Sequence, residues 1–255
     1  MLYIYAFVLY LRDILIYGGF FMSIYKRYLL FTLGMFSMAF GISCVIKSML
    51  GSSPISSIPY VLNLEYPLSI GTFTFIVNMG FLLIQILLLR KNFQAIQLLQ
   101  IPITIIFSFF IDLSMHLLAP LTPELYSSRL ITVLIGTSFL SFGVSLEMIG
   151  NVVKLAGEGI VHAIAVTFHL DFGNTKTGFD LSLVIIAALL SWIYFGEFRG
   201  IREGTLISAM ITGTIARFFI RHLSYINKNG ELIFQLPFLS AKSANVSLEE
   251  NNKQK

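Results

Sequence analysis

The stretch Gly34-Met-Phe-Ser-Met-Ala-Phe-Gly-Ile-Ser43 returns later in the chain as Gly136-Thr-Ser-Phe-Leu-Ser-Phe-Gly-Val-Ser145. Gly34/Gly136, Phe40/Phe142, Gly41/Gly143 and Ser43/Ser145 coincide at a single offset, and Ala39/Ser141 and Ile42/Val144 are close substitutes. The same offset pairs Arg27 with Arg129 ahead of the motif and polar Asn78 with acidic Asp180 well after it. Each copy is apolar enough to hold three membrane spans. An odd number of spans sends the second copy into the bilayer from the opposite side. The expectation is an all-α polytopic membrane bundle of about six transmembrane helices, built as two inverted three-helix repeats with a site near the midplane between them.

The rest of the chain agrees with a membrane solvent. Its 255 residues are 56% hydrophobic and 12% charged, with a mean hydropathy of +0.83. Soluble domains carry roughly twice that share of charge, so an ordinary soluble fold is excluded. One cysteine, Cys44, lies inside an apolar run, which leaves no disulfide framework and no thiolate metal cluster. The net charge of +4 comes mostly from basic residues beside span ends, where it reports orientation and not a nucleic-acid partner.

A span needs about 20 mostly apolar residues. Six stretches meet that length: Tyr28–Ile46, Ile70–Leu89, Ile96–Leu118, Leu130–Ile149, Thr177–Phe195 and Gly204–Ile220. With the amino terminus inside, cytoplasmic segments hold Arg12, Lys26, Arg27, Arg90, Lys91, Lys154, Lys176, Arg221 and Lys228, against Lys47, Arg129, Arg199 and Arg202 outside. That excess favours both termini in the cytoplasm. Residues 26–118 form membrane repeat 1 and residues 129–222 membrane repeat 2. Residues 223–255 are a polar cytoplasmic tail whose end, Asn245–Lys255, is expected to be disordered. Residues 1–25 are an extension with no counterpart in the second copy. Gly18-Gly19, two phenylalanines ahead of Met22, is what a ribosome-binding stretch would encode, so translation is expected to start at Met22; an interfacial amino-terminal helix is the alternative.

Between the first two spans, Gly51-Ser-Ser-Pro-Ile-Ser-Ser-Ile-Pro-Tyr-Val-Leu62 predicts a short helix, with Ser53 as cap, Pro54 at its first position and Pro59 bending or ending it. Gly157-Glu-Gly-Ile-Val-His-Ala-Ile-Ala-Val-Thr-Phe-His-Leu170 is its equivalent on the opposite face and carries Glu158. Neither is long enough to cross, so each lies at the interface or dips back into the membrane. Free N–H groups at their starts could bind an anionic or carbonyl group; plain connectors packed on the bundle are the other reading.

Polar side chains within the spans supply further candidates. Gln100, Thr104, Ser108, Asp112 and His116 recur at steps of four, a face that must meet protein or water. Asp112 reads as a proton or cation site or as a solvated surface acid. Glu147 lies well inside the fourth span on a face with Gly143, Gly150, Asn151 and Lys154, and Arg217 in the sixth span could pair with it. A pair would be a structural salt bridge; an unpaired Glu147 would be a proton carrier. Asn78 and Asp180, matched by the repeat offset, would suit a site between the copies, or two versions of one packing contact. Gly204, Ser208 and Thr212 form a small-residue stripe that reads as helix packing.

No phosphate-binding Gly-x-x-x-x-Gly-Lys-Ser/Thr loop, His-Glu-x-x-His, Gly-x-Ser-x-Gly or Cys-x-x-Cys occurs, and His116, His162, His169 and His222 are scattered. No catalytic residue, metal or cofactor is therefore expected, and the chain does not read as an enzyme.

Phe40-Gly-Ile-Ser43, Gly51-Ser-Ser-Pro54, Ser69-Ile-Gly-Thr-Phe73, Asp112, Gly157-Glu-Gly159 and Gly200-Ile-Arg-Glu-Gly-Thr-Leu206 together resemble the YczE/YyaS/YitT group of bacterial integral membrane proteins, over about residues 26–222. The order and spacing of the motifs carry the resemblance. It implies a bacterial plasma-membrane protein and supplies no substrate. Gly213-Thr214 stands where relatives tend to have Gly-Pro, and the soluble carboxy-terminal domain of YitT-type members is missing, which favours the YczE-like branch. The leading functional expectation is a secondary transporter or permease for a small solute. Asn78, Asp112, Glu147, Asp180, Arg217, Ser53 and Glu158 would line its path, with protons or cations as coupling partners. The alternative is a non-catalytic membrane partner or regulator, working as a homo-oligomer or with another membrane protein.

Overall fold

A computed structural model of the chain describes residues 24–226 and 232–234. The amino-terminal extension with Met22, and most of the polar tail, lie outside the described residues. The described chain is helical apart from a ribbon at its end. In order it forms α1 (Ile24–Lys47), α2 (Ser57–Glu65), α3 (Ile70–Leu89), α4 (Gln100–Leu117), α5 (Tyr126–Gly150), α6 (Ala156–Phe168), α7 (Phe172–Phe195) and α8 (Glu203–Leu223). The ribbon pairs β1 (Ser224–Ile226) antiparallel with β2 (Leu232–Phe234), inside the segment read as a polar tail. All helices but α2 and α6 are long and apolar enough to cross a membrane, α4 together with the 3-10 turn Ala95–Leu99 before it. Each of the six stretches expected from hydropathy falls on one of them.

Local chemistry sets the ends. Ser69 Oγ accepts the Thr72 N–H at 3.0 Å to start α3, and an Asp171 carboxylate oxygen accepts the Asn174 N–H at 3.0 Å to start α7. Gly196 closes α7 at φ +69°, a left-handed conformation that costs glycine little. Pro59 does not end α2, which continues to Glu65. As third residue of the helix it sits in the first turn, where a missing N–H removes no intrahelical bond.

The repeated motif is the axis of the molecule. α1 and α5 run antiparallel and share the most extensive helix–helix contact. A Cβ built on Gly34 would lie 2.8 Å from the Gly143 carbonyl oxygen, and one built on Gly143 would lie 2.5 Å from that of Gly34. Gly41 and Gly136 meet in the same way, at 2.6 and 2.9 Å from each other's carbonyl oxygens. The first glycine of each copy thus faces the second glycine of the other, and only hydrogen at these positions lets the backbones touch. Ser37 Oγ adds a 2.8 Å hydrogen bond to the Phe139 carbonyl between them.

The remaining helices are arranged around this pair in matching ways. α4 packs on α1 as α8 packs on α5. The short helices cross over: α6 packs on α3, and α2 packs on α7. The match has one gap, for α3 packs on α4 while α7 and α8 share no comparable interface. Large apolar side chains such as Leu83, Phe109, Ile131 and Ile193 stand on the outside of the bundle, more than half exposed, where a bilayer would cover them. The chain is accordingly a multi-pass membrane protein in contact with lipid.

Replacing Gly143 by leucine should force α1 and α5 apart and cost upward of about 1–3 kcal/mol, the penalty of overpacking a close-packed core. Gly80→Ala, where nothing lies within 4 Å of an added Cβ, should leave the melt within a degree or two or raise it slightly. Thermal melting of both variants in detergent, followed by size exclusion, measures the difference.

Candidate functional site

After α1 and α5 the chain does not turn straight back. It runs inward, and the starts of the two short helices meet in the middle of the bundle. Gly157 at the start of α6 meets the end of the Ile55 side chain, at the tip of the first short helix. The first inward segment is tied to the start of α8: the Gly204 N–H donates to the Leu50 carbonyl at 2.8 Å, and the Ser52 N–H to Thr205 Oγ1 at 3.1 Å. Gly51-Ser-Ser-Pro54 and Gly200-Ile-Arg-Glu-Gly-Thr-Leu206 are therefore two sides of one joint. The second inward segment is held by a buried amide pair. Gln85 and Gln100 exchange hydrogen bonds at 3.1 and 3.2 Å, and Gln85 also donates to the Ala156 carbonyl at 3.1 Å.

Around the meeting point lies a cavity of about 860 Å³. Both short-helix starts contribute to its wall, Ser53 and Ser56 from one and Gly157 and Glu158 from the other. Met38, Ile42, Phe107, Ile111, Leu140 and Val144, which belong to one apolar cluster, contribute to its lining. The lining also carries Glu147, Lys154, Glu158, Lys176, Asp180 and Arg217. The wall follows the first turns of α7, Phe172 to Asp180, and the last turns of α8, Ala209 to Ile220. The cavity thus extends from the centre toward the face where α5 ends and α7 begins, along the two helices that do not pack on each other.

Six of the seven residues singled out from sequence come together on this wall: Ser53, Asn78, Glu147, Glu158, Asp180 and Arg217. Ser53 does not cap its helix through its side chain; its Oγ lies 2.7 Å from Ser56 Oγ, and a 3-10 turn over Pro54–Ser56 precedes the α-helical part. Asn78 is buried and donates to the Thr74 carbonyl of its own helix at 2.9 Å. Asp180 pairs with Lys176 one turn earlier at 2.8 Å. Among the described residues, Arg217 forms no ion pair with Glu147; its Nε donates to the Gly213 carbonyl at 3.2 Å. In the sequence Lys176 reads as an orientation charge, although its spacing of four before Asp180 is the signal of a helical pair.

Glu147 is only 3% exposed. One carboxylate oxygen accepts the Leu155 N–H at 3.1 Å, just ahead of α6, and the other, Oε2, has no hydrogen-bond partner. Glu158, in the short helix outside the six spans, is half-buried. Burial pushes its pKa upward; Lys176 and Lys154 oppose that, and Asp180 adds to it.

Asp112 stands apart from the cavity. Its carboxylate caps α3, accepting from Ser69 Oγ at 2.6 Å and from the Gly71 N–H at 2.8 Å. A Cβ on Gly71 would lie 2.5 Å from Asp112 Oδ2, so glycine is what lets the acid reach the helix end. Of its ridge, Gln100, Thr104 and Ser108 are buried against protein and His116 is exposed.

Six membrane-length helices surrounding a central cavity that carries charges of both signs define a polytopic helical membrane protein with an internal site. The chain belongs to the family of unknown function DUF6198, whose profile matches residues 25–221. It is also similar to an uncharacterized protein of Haemophilus influenzae, with 25% identity over 193 residues, covering 75% of this chain and 81% of that one. No solved structure matches it.

Asp112→Ala should destabilise the protein by about 1–2 kcal/mol, the usual cost of losing a helix cap, while leaving the cavity intact. A thermal melt lowered by several degrees, and restored in part by Asp112→Asn, is the expected result.

Proposed function

We propose that this chain is a secondary transporter or permease that moves a small solute through the cavity between its two halves. The observation that carries the reading is an asymmetry of packing: α3 packs on α4, α7 and α8 share no comparable interface, and the cavity lining follows the first turns of α7 and the last turns of α8. The matched contacts on either side of the α1–α5 axis support an inverted repeat. In such a protein the two halves exchange conformations. Closing α7 on α8 while α3 leaves α4 would shut the open face and open the other, which is alternating access around a fixed site.

The site has the parts this function requires. The starts of the two short helices bring positive dipole ends to the cavity wall. Glu147 is a buried acid with one oxygen uncommitted, the arrangement expected of a proton or cation carrier, and Glu158 and Asp180 stand on the same wall. Asn78 is a polar member of the same lining. Charge bias in the connections supports cytoplasmic termini, and the similarity to a Haemophilus influenzae protein supports a bacterial membrane. The motif order supports kinship of this family with the YczE-like branch. The chain is read as a non-enzyme, needing no cofactor.

Purified protein in liposomes, given a panel of labelled metabolites under an imposed pH gradient, tests the proposal. Accumulation of at least one compound is expected, with Glu147→Gln losing about tenfold or more of the gradient-driven rate. No uptake of any compound, together with co-purification of a stoichiometric membrane partner, would replace this reading with that of a regulator or scaffold.

A further inference from the structure

Resting on that reading, we infer that the cavity binds an oxyanion, a carboxylate or phosphate on an apolar body, with Arg217 holding its charge. Depth sets this arginine apart. α8 starts beside Leu50, whose carbonyl accepts the Gly204 N–H. Arg217 follows Gly204 by thirteen residues, about 20 Å along a helix. A hydrocarbon core is about 30 Å thick, so Arg217 lies well inside it. The packing of α8 on α5 gives the same level. Phe219 meets Phe142 edge-on, with ring centroids 5.2 Å apart, next to the crossing of Gly34 and Gly143. A long basic side chain toward a helix end can snorkel to the nearer interface, and for Arg217 that route runs forward past Leu223. Its side chain goes the other way. Nε donates to the Gly213 carbonyl, one turn back toward the start of α8. The arginine thus stays on the cavity lining at depth.

No acid answers it there. Among the described residues Arg217 forms no ion pair, and the acids of the same lining are engaged otherwise. Asp180 is bound to Lys176 at 2.8 Å. Glu158 is within electrostatic reach of Lys176 and Lys154, which favour its charged form. Glu147 is turned into protein, with one oxygen on the Leu155 N–H and the other shut off from solvent. Arg217 is the cation left over. A guanidinium at membrane depth without a counter-ion is costly. Its Nε is used, while its terminal amino groups hold no acceptor among the described residues. Those groups form the fork that fits a carboxylate or phosphate. The apolar body follows from the neighbours. Leu140, between the two glycine crossings of α5, lines the cavity with Met38, Ile42, Phe107 and Ile111, which offer carbon contacts and no side-chain hydrogen bonds.

Calorimetry on the purified full chain in phosphatidylcholine nanodiscs, with empty discs subtracted, tests the head group on one common body. The probes are 3-phenylpropanoate, 3-phenylpropyl phosphate, 3-phenylpropylamine and 3-phenylpropanol. At least one of the two anions should bind about tenfold or more tightly than the alcohol, and the amine no better than the alcohol. Arg217→Gln should lose that advantage, and Arg217→Lys, which keeps the charge without the fork, should retain part of it. Alcohol or amine binding as tightly as the better anion would overturn the inference. So would full anion affinity in Arg217→Gln, or no binding of either anion to the parent. Should Arg217→Gln fail to fold, the head-group series on the parent decides alone. Discs containing phosphatidylglycerol identify the source of the oxyanion: unchanged affinity assigns it to a solute, and competition assigns it to a lipid head group. Transport of a cation or a neutral compound would sink the oxyanion and leave the permease standing.

Discussion

The close antiparallel approach of α1 and α5 is the constraint on which the rest depends. In lipid there is little hydrophobic gain from bringing two apolar helices together, so association relies on backbone proximity and on polar contacts that lipid cannot provide. Gly34, Gly41, Gly136 and Gly143 remove the side chains that would hold the helices apart, and they do so reciprocally, each copy's first glycine against the other's second. One motif written twice thereby becomes one interface with two equivalent halves.

That interface determines where everything else must go. Because α1 and α5 are opposed, the segments that leave their ends turn inward from opposite faces, and the short helices they start can meet at the centre. Each short helix then lies against the long helix of the other half, α2 on α7 and α6 on α3. Non-helical backbone at this depth needs partners within the protein. The Leu50–Thr205 joint and the Gln85–Gln100 pair provide them. The result is a polar, cavity-lined centre in an otherwise apolar molecule, and Glu147 can be buried there because the α6 start gives one of its oxygens a donor.

Much of this was legible in the sequence because membrane spans and close glycine contacts have strong local signatures. The spans, the two short helices and the repeated motif all follow from hydropathy and spacing. Six of the seven candidate residues line one cavity because polar groups inside an apolar span must face the interior. What failed depended on distant partners. Steps of four placed Asp112 on a face with Gln100 and Thr104, but periodicity does not say that Ser69 and Gly71 wait at that level. The pairing of Glu147 with Arg217 was open for the same reason, and the helix bonds that hold Arg217 are invisible without coordinates. Pro59 reads as a breaker until the helix start is known to lie only two residues earlier. The unequal α3–α4 and α7–α8 contacts could not be foreseen, since similar stretches of sequence do not say which neighbour each helix meets.

The opposed orientation of the halves can be measured without knowing any ligand. With buried Cys44 replaced by serine, Glu65→Cys at the end of α2 and Leu170→Cys just after α6 each introduce one exposed thiol. A membrane-impermeant maleimide added to intact cells should label one of the two, and the other should react only after permeabilisation. Labelling of both from the same side would contradict the opposed halves and, with them, the central cavity as a site shared between repeats.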